Sequence, residues 1–427
     1  MEIYAPGIVL ISASTGSSQS KGNAWESSRL HRKGKGRYLF QTAPTETKES
    51  INLHFHSRYN EKQSYRILLP VLASRSSRQR GWKQLHIEGS GGYSAYRLYT
   101  TQSDGSNRDS IIILERPDTA NFLSRIPDVT PLGEITLPGT HESCAMYGYP
   151  ISQCQQPATP IEQQLLDGIR FLDVRLRVVG EELLMYHGPR PQRSTLSILL
   201  QVLHNFLETH PTETLILSIK QETPPWHPDF STILYKAFQP FLDKWFLEER
   251  IPTLGEVRGK GLLLTRFDKD KDGDESWQKG MGIHPYTWPD SRKEGFEWNC
   301  EGTAFRIQDW YRVHTFLEIP EKFDAITTHL IPTLEILPRQ RTFTLSYLSA
   351  SYFPLSLPTI IAKGFGWPSW GLGVEGINSR MFGWLLERLL KGEKVRACFA
   401  IDFYGQCAGN AGLAELLVQM NFNEEGS

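Results

Sequence analysis

Short apolar runs dominate the first quarter of the chain, and none of them has the 3.6-residue period of an amphipathic helix. Clusters of Gly, Ser and Asn separate the runs, as turns separate strands. The pattern predicts a small all-β, sandwich-like domain over residues 1–115, with loops at Ser17–Asn23 and Ser74–Arg80. Its expected strands are Ile8–Ser12, Arg37–Gln41, Ile51–His56, Tyr65–Leu72, Lys83–Glu88, Ser94–Thr100 and Ser110–Leu114.

Beyond a proline-rich linker at residues 116–133, apolar strands alternate with helical segments. This alternation over residues 116–427 predicts an α/β domain, a (β/α)₈ barrel of the TIM type. The alternative is a doubly wound open sheet, but no glycine-rich dinucleotide motif supports it. The expected strands are Ile135–Leu137, Ile169–Val178, Leu183–Tyr186, Thr214–Ile219, Gly261–Thr265, Ala304–Ile307, Thr342–Leu348 and Val395–Ile401. The expected helices are a capping-box helix from Thr159 to Gly168, then Thr195–Thr209, Phe230–Phe246 and Arg380–Lys391.

The chain has 427 residues and a net charge of −1, but the charge is unevenly distributed. Residues 1–116 carry +8 and the remainder carries −9. The basic part is therefore expected to meet an anionic partner, a membrane surface or a nucleic acid, unless it docks on the acidic part of the same chain.

Five cysteines are too few and too scattered for a disulfide framework, although Cys144 and Cys154 are close enough in sequence to bridge a loop. No run of about 18 apolar residues predicts a membrane-spanning helix, and the N-terminus lacks a signal-peptide pattern. We expect a cytoplasmic protein, and no cofactor motif is present.

Charged residues recur where the predicted barrel strands end. Because unpaired charges are too costly to bury in a core, they are expected to converge on a solvated pocket at the C-terminal face of the barrel. Two histidines there suit general acid–base catalysis, and three cations suit a phosphate and hydroxyl groups. The residues are His141 and Glu142, Asp173 and Arg175, His187, Lys220, Arg266, Asp309 and Tyr311, and Asp402.

Four motifs resemble the bacterial-type, metal-independent phosphatidylinositol-specific phospholipases C: Pro138–Ser143, Asp173–Arg175, Tyr186–Pro189 and Ser218–Glu222. The resemblance implies a TIM-type barrel that cleaves phosphatidylinositol to diacylglycerol and inositol 1,2-cyclic phosphate without a cofactor or metal. It implies a monomer that binds a phosphatidylinositol or glycosylphosphatidylinositol lipid peripherally at a membrane, and no nucleic acid. It does not extend to residues 1–115.

By position, the resemblance implies that His141 is the general base, oriented by Asp402, and that His187 is the general acid. It implies that Arg175, held by Asp173, binds the phosphate. The residues implied to bind the inositol ring are Lys220, Arg266, Asp309 and Tyr311.

Glu142 departs from the family pattern, which usually has aspartate after the first histidine. The additional methylene shifts the carboxylate by roughly 1 Å, so we expect either lower activity or a loop that has adapted. The cations Arg175 and Lys220 stand where calcium-dependent relatives have carboxylates, which argues against a catalytic Ca²⁺.

Two other functions remain open on sequence alone. One is a metal-dependent phosphodiesterase of the glycerophosphodiester or sphingomyelinase D type, and the other is a lipid-binding module with weak catalysis. Whether the protein cleaves a lipid or only binds one, a membrane-contacting rim is predicted in a glycine-rich segment, at Phe365, Trp367 and Trp370. The alternative is that these side chains pack against the barrel.

Overall fold

The structure is a computed structural model that describes residues 1–6, 8–15, 30–34, 36–40, 51–57, 60–69, 82–89, 92–101, 107–222, 224–268, 280–335, 341–368, 372–405 and 412–422. The two loops predicted in the N-terminal part lie outside these residues, as does Trp370.

Ten strands precede the linker in the described residues, and they form two sheets. The strands are β1 Glu2–Tyr4, β2 Ile8–Thr15, β3 Leu30–Gly34, β4 Arg37–Phe40, β5 Ile51–Ser57, β6 Asn60–Leu69, β7 Lys83–Leu85, β8 Ile87–Glu88, β9 Tyr93–Thr101 and β10 Asn107–Glu115. The sheet orders are β3-β4-β1-β10-β9-β7 and β2-β5-β6-β8. Ile3 and Ile111 of the first sheet share an apolar cluster with Phe55 and Ile67 of the second.

The opposite face of the first sheet is also apolar, because β10 buries residues on both sides. Ile111 and Ile113 point into the cluster between the sheets, whereas Ile112 and Leu114 join the core that surrounds the barrel helices. Tyr96 meets Phe382 edge to face, with ring centroids 5.3 Å apart. The two parts of the chain are therefore joined by apolar packing.

The second part is an α/β sheet of the TIM-barrel kind. Its strands are β11 Leu137–Thr140, β12 Phe171–Val179, β13 Glu182–His187, β14 Arg190–Thr195, β15 Leu215–Gln221, β16 Trp245–Phe246, β17 Gly261–Arg266, β18 Phe296–Cys300, β19 Thr303–Gln308, β20 Arg341–Tyr347, β21 Gly364–Trp367, β22 Leu372–Glu375 and β23 Cys398–Ile401. Its helices are α1 Ile161–Leu166, α2 Leu196–Thr209, α3 Phe230–Phe238, α4 Leu254–Val257, α5 Ile319–Leu330, α6 Pro358–Lys363, α7 Ile377–Lys391 and α8 Leu413–Gln419.

The main sheet has the order β16-β17-β15-β12-β11-β23-β20-β19-β18, with β13 and β14 paired onto β12. The strands from β16 to β19 are parallel, and β18 pairs antiparallel with β19. Among the described residues no ladder joins β16 to β18, so the sheet curls into a barrel that is open on one side. The predicted (β/α)₈ barrel of the TIM type is thus correct in class.

Period-two alternation along each strand separates an apolar floor from a charged mouth. In β12, Phe171 lies in the inner apolar cluster, and Asp173 and Arg175 follow it at two-residue steps. In β17, Leu262 and Leu264 lie in the same cluster below Arg266. The described register therefore brings charges from separate strands to one height; Arg175 pairs with Lys220 and Lys220 with Arg266.

Two expectations about helices need correction. The helix expected at Phe230–Phe246 ends at Phe238, and a 3₁₀ turn leads into β16. The capping box at Thr159 does not form, because its hydroxyl donates to the carbonyl of Gln156 and Pro160 precedes the helix without a side-chain cap.

Cys144 and Cys154 are free thiols. None of the described helices is long and apolar enough to cross a membrane.

A buried ion pair ties the base of the barrel to the linker. The fully buried Arg170 guanidinium donates to Glu213 at 2.8 and 3.0 Å and to the carbonyl oxygens of Thr119 and Ala120. Removing one partner of a buried pair leaves an uncompensated charge.

We therefore expect Arg170→Ala to lower the free energy of unfolding by about 3–5 kcal/mol. Urea denaturation followed by circular dichroism measures this loss. Lys236→Ala, which removes an exposed cation, is the control and should change stability by less than about 0.5 kcal/mol. Equal midpoints for the two variants would contradict the assignment.

Candidate active site

A cavity of about 540 Å³ opens at the C-terminal ends of the barrel strands. Eight of the predicted site residues line it: His141, Arg175, His187, Lys220, Arg266, Asp309, Tyr311 and Asp402. The other two predicted residues, Glu142 and Asp173, are buried against these side chains. The structure thus brings together the whole predicted set except for the rim.

His141 follows β11, whose Gly139 lies so close to β12 and β23 that a Cβ there would meet the Phe399 carbonyl at 2.5 Å. This close approach places the His141 ring beside Asp402, with Nδ1 and Oδ1 2.8 Å apart. Burial disfavours the imidazolium, but the neighbouring Asp402 carboxylate raises the pKa of His141 above its ordinary value.

The guanidinium of Arg175 lies on the other edge of that ring, with Nη2 3.1 Å from Nε2 of His141. Because a guanidinium can only donate hydrogen bonds, Nε2 must accept this one with its lone pair. The ring proton is therefore on Nδ1, which donates a hydrogen bond to Asp402. Three carboxylates surround Arg175: Glu142 at 2.8 Å, Asp173 at 3.4 Å and Glu222 at 3.7 Å.

His187 stands across the cavity from His141. Its Nδ1 lies 3.0 Å from the carbonyl oxygen of Ser152, which fixes the ring, and its Nε2 lies 3.9 Å from Glu142 Oε1. Burial, Arg175 and His141 lower the pKa of His187 to about 3. Burial raises the pKa of Glu142 to about 8, although Arg175 opposes the shift.

Arg266 and Asp309 form a second polar group deeper along the cavity. Arg266 donates to the Tyr347 hydroxyl at 2.8 Å and lies 3.6 Å from Asp309 and 3.4 Å from Asp173. The Trp288 ring covers the guanidinium, 3.6 Å from its centroid, and its Nε1 donates to Asp309 at 2.9 Å. Such a cation held over an aromatic face is fixed in orientation.

Lys220 and Tyr311 complete the lining. Repulsion from Arg175, and then burial, lower the pKa of Lys220. The Tyr311 hydroxyl donates to Asp290, and burial with this contact raises the pKa of Tyr311 to about 12. Neither side chain is fully buried, so both present polar atoms to the cavity.

The predicted rim is a two-stranded hairpin, β21 paired with β22. Phe365 is 50% exposed, Trp367 is 69% exposed and Leu372 is 66% exposed. Trp370 falls between the two strands, outside the described residues. Exposed aromatic side chains also occur in other loops that follow barrel strands, at Tyr149, Tyr286 and Phe353.

Sequence reasoning assigned no site role to several residues that contact the site, among them Cys154, Gln155, Trp288, Tyr347 and Asn378. Cys154 Sγ lies 3.7 Å from His187 Nδ1, and Gln155 donates to the carbonyls of His141 and Ile401. Asn378, which is buried, donates to the carbonyls of Asp402 and Phe403. Their partners are distant in the chain, so no local spacing could have revealed them.

The arrangement can bind a monoanionic diester and move two protons. The His141 imidazole, held by Asp402, can accept a proton, and the His187 imidazole lines the same cavity. The guanidinium of Arg175 contacts His141 and Glu142. The Arg266, Asp309 and Trp288 group offers donors and an acceptor suited to ring hydroxyls.

Comparison with solved structures places the fold in one class. The phosphatidylinositol-specific phospholipase C of Staphylococcus aureus, solved as an F249X mutant, aligns with a TM-score of 0.57 and 18% identity over 71% of this chain and 98% of that one. The Listeria monocytogenes enzyme aligns with a TM-score of 0.53 and 21% identity over 72% and 100%. The barrel has the fold of these bacterial proteins.

Sequence comparison is more specific. Residues 139–267 match the family model described as phosphatidylinositol-specific phospholipase C, X domain. A curated 1-phosphatidylinositol phosphodiesterase of Listeria monocytogenes is 32% identical over 160 residues, 34% of this chain and 49% of that protein. The Staphylococcus aureus protein of the same name is 23% identical over 210 residues, 45% and 64%. Residues 139–267 of the chain therefore match this phospholipase C family, as the motifs predicted.

Proposed function

We propose that this protein is a phospholipase C that cleaves phosphatidylinositol to diacylglycerol and inositol 1,2-cyclic phosphate. One observation carries the proposal: His141, with its Nδ1 on Asp402 and its Nε2 beside Arg175, faces His187 across a single cavity. The matched stretch covers about half of the Listeria relative, so the activity is inferred from this geometry together with the family.

In the proposed reaction His141 Nε2 takes the proton from the inositol 2-hydroxyl, whose oxygen attacks phosphorus. The bond between phosphorus and the diacylglycerol oxygen breaks, and His187 gives that oxygen a proton. Arg175 carries the negative charge that builds on the phosphoryl oxygens, and its carboxylate neighbours hold it in place. Arg266, Asp309, Lys220 and Tyr311 bind the ring hydroxyls.

The acidic proton needs a source, because His187 alone has a depressed pKa. Glu142 Oε1 lies 3.9 Å from His187 Nε2, and burial raises the pKa of Glu142 to about 8, so we propose that Glu142 is the group from which His187 receives its proton. A bound phosphodiester adds negative charge beside His187, which favours transfer of that proton to the imidazole. Glu142 therefore supports the general acid despite its additional methylene.

The metal-dependent alternative is disfavoured by charge. Arg175 and Lys220 occupy neighbouring positions of β12 and β15. At these positions the calcium-dependent relatives of the resembled phospholipases have carboxylates. A guanidinium and an ammonium repel a divalent ion there. The weak lipid-binding module is disfavoured because both histidines have partners that orient them for proton transfer.

We also propose peripheral membrane binding through the hairpin β21–β22, whose Phe365 and Trp367 are exposed. Residues 1–115 are proposed as an all-β domain of their own, with a net charge that favours an anionic membrane. Since that domain shares an apolar core with α7, its deletion would expose the barrel helices. The cytoplasmic location stays a prediction.

The two histidines give the sharpest test of the mechanism. His141→Ala and His187→Ala should each lower kcat by about 10²–10⁴, because each removes a proton-transfer group. The double variant should be little worse than either single variant, since the groups act as a unit. Release of diacylglycerol from phosphatidylinositol vesicles measures this. His210→Ala, at the end of α2, is the control, and a single variant that keeps a tenth of the rate would refute the assignment.

Arg175→Lys should be severely impaired, because an ammonium cannot reproduce the two-armed contact of the guanidinium with the phosphate. EDTA should leave the native rate unchanged. The same assay measures both, and circular dichroism verifies that the variant folds. A native rate that falls to background in EDTA and recovers with Ca²⁺ would overturn the charge argument.

Phe365→Ala combined with Trp367→Ala should weaken vesicle binding at low and high salt alike, because the lost contacts are apolar. Cleavage of a soluble inositol phosphodiester should be spared. The control is Val129→Ala with Ile331→Ala, two exposed apolar residues at the opposite end of the barrel. Equal vesicle sedimentation for both double variants would show that the hairpin does not contact lipid.

A further inference from the structure

We propose that Cys154, Asp402 and His141 form a binding site for Zn²⁺ or a similar soft divalent cation, which inhibits the enzyme by sequestering its general base. The inhibitory effect rests on the proposed function, whereas the binding does not. Ligand atoms of the three side chains all lie within 4.8 Å of one another. A thiol, an imidazole and a carboxylate are the ligand types that zinc prefers.

A fourth ligand is close by on a separate strand. Nδ1 of His187 lies 3.7 Å from Cys154 Sγ. Tetrahedral zinc with a sulfur at 2.3 Å and a nitrogen at 2.0–2.1 Å requires these two atoms to be about 3.6 Å apart. To bind the ion, His187 must release the carbonyl of Ser152, which lies 3.0 Å from the same nitrogen. The site would then hold both catalytic histidines.

Charge favours the ion at this position, unlike the position between Arg175 and Lys220. A Cys154 thiolate and the Asp402 carboxylate supply two negative charges, which balance the two positive charges of the metal. Arg175 contacts the opposite edge of the His141 ring, at Nε2, rather than the Nδ1 edge that faces Asp402. Hard ions such as Ca²⁺ or Mg²⁺ bind poorly to thiolate and imidazole ligands.

The proposed zinc site is inhibitory and does not hold a metal that the reaction needs. Cys154 is fully buried yet lines the same cavity as the two histidines, so an ion that enters with solvent can reach the sulfur. Zinc bound to His141 Nδ1 and Asp402 would break their contact and displace the Nδ1 proton. The neutral ring would then carry its proton on Nε2, which could no longer accept the proton of the substrate and would have to turn away from the donating Arg175. The native enzyme should therefore be active in EDTA and inhibited by added zinc.

Binding is tested first, without reference to activity. Cobalt(II), which replaces zinc and is coloured, should give the full-length wild-type protein a thiolate-to-cobalt charge-transfer band and tetrahedral d–d bands, with one ion per chain. Both should be absent from Cys154→Ser and Cys154→Ala. Cys144→Ser, which removes a neighbouring free thiol, should keep them. A wild-type spectrum without the charge-transfer band would overturn the proposal, even if the variants failed to fold.

Zinc affinity is then measured by competition with a chromophoric chelator. Cys154→Ser should lose at least the roughly 10- to 100-fold that removal of even an outer-shell partner costs. Cys144→Ser should match the wild type, and equal affinity in all three proteins would refute the site.

Inhibition separates the two proposals. Chelator-buffered zinc should inhibit phosphatidylinositol cleavage by the wild type and by Cys144→Ser, and inhibition of Cys154→Ser, normalised to its own rate, should need at least about tenfold more zinc. Cobalt and zinc binding without any cleavage, even in EDTA, would support the site and reject the proposed function. Cleavage that zinc leaves unchanged would reject the inhibitory site and retain the function.

Discussion

The candidate site depends on the burial of one guanidinium among carboxylates. Arg175 is a largely buried cation that lines the cavity, and its burial is tolerated because the acidic side chains of Glu142, Asp173 and Glu222 surround it at 2.8–3.7 Å. These groups come from separate parts of the sheet. They meet at one height because the parallel register of β12 and β15 aligns Arg175 with Lys220. The shape of the pocket is therefore a consequence of strand register.

Much of this could be predicted from the sequence because a two-residue period is readable along a strand. In the order Phe171, Asp173, Arg175, the apolar residue comes before the two charged ones on the same face of the strand. The same two-residue period in the other strands, together with the family resemblance, predicts ten site residues. The contacts of Cys154, Trp288 and Asn378 could not be predicted, because each of these side chains contacts a partner that is 21 to 33 residues away along the chain. Whether the barrel closes could not be predicted, because strand pairing is a long-range property that local apolar runs do not specify.

Backbone strain marks the same site independently. Glu142, directly after His141, has φ 45°, and Phe403, directly after Asp402, has φ 49°. Non-glycine residues in this left-handed region cost of order 1 kcal/mol or more and persist only where surrounding contacts hold them. Asn378 supplies such contacts to the carbonyls of Asp402 and Phe403. The strain therefore falls on the residue that directly follows each member of the His141–Asp402 pair.

The left-handed turn at Glu142 also explains how glutamate replaces the aspartate of the family pattern. The turn directs the longer side chain back to Arg175 and to within 3.9 Å of His187. The two histidines then have opposite surroundings: a carboxylate raises the pKa of His141, whereas burial and a guanidinium lower that of His187. In the free protein these shifts by themselves favour a protonated His141 and a neutral His187, so the proposed roles of base and acid rest on the geometry and not on the pKa values. In the proposed mechanism Glu142, which lies 3.9 Å from His187, is therefore the source of the proton that this histidine does not hold by itself.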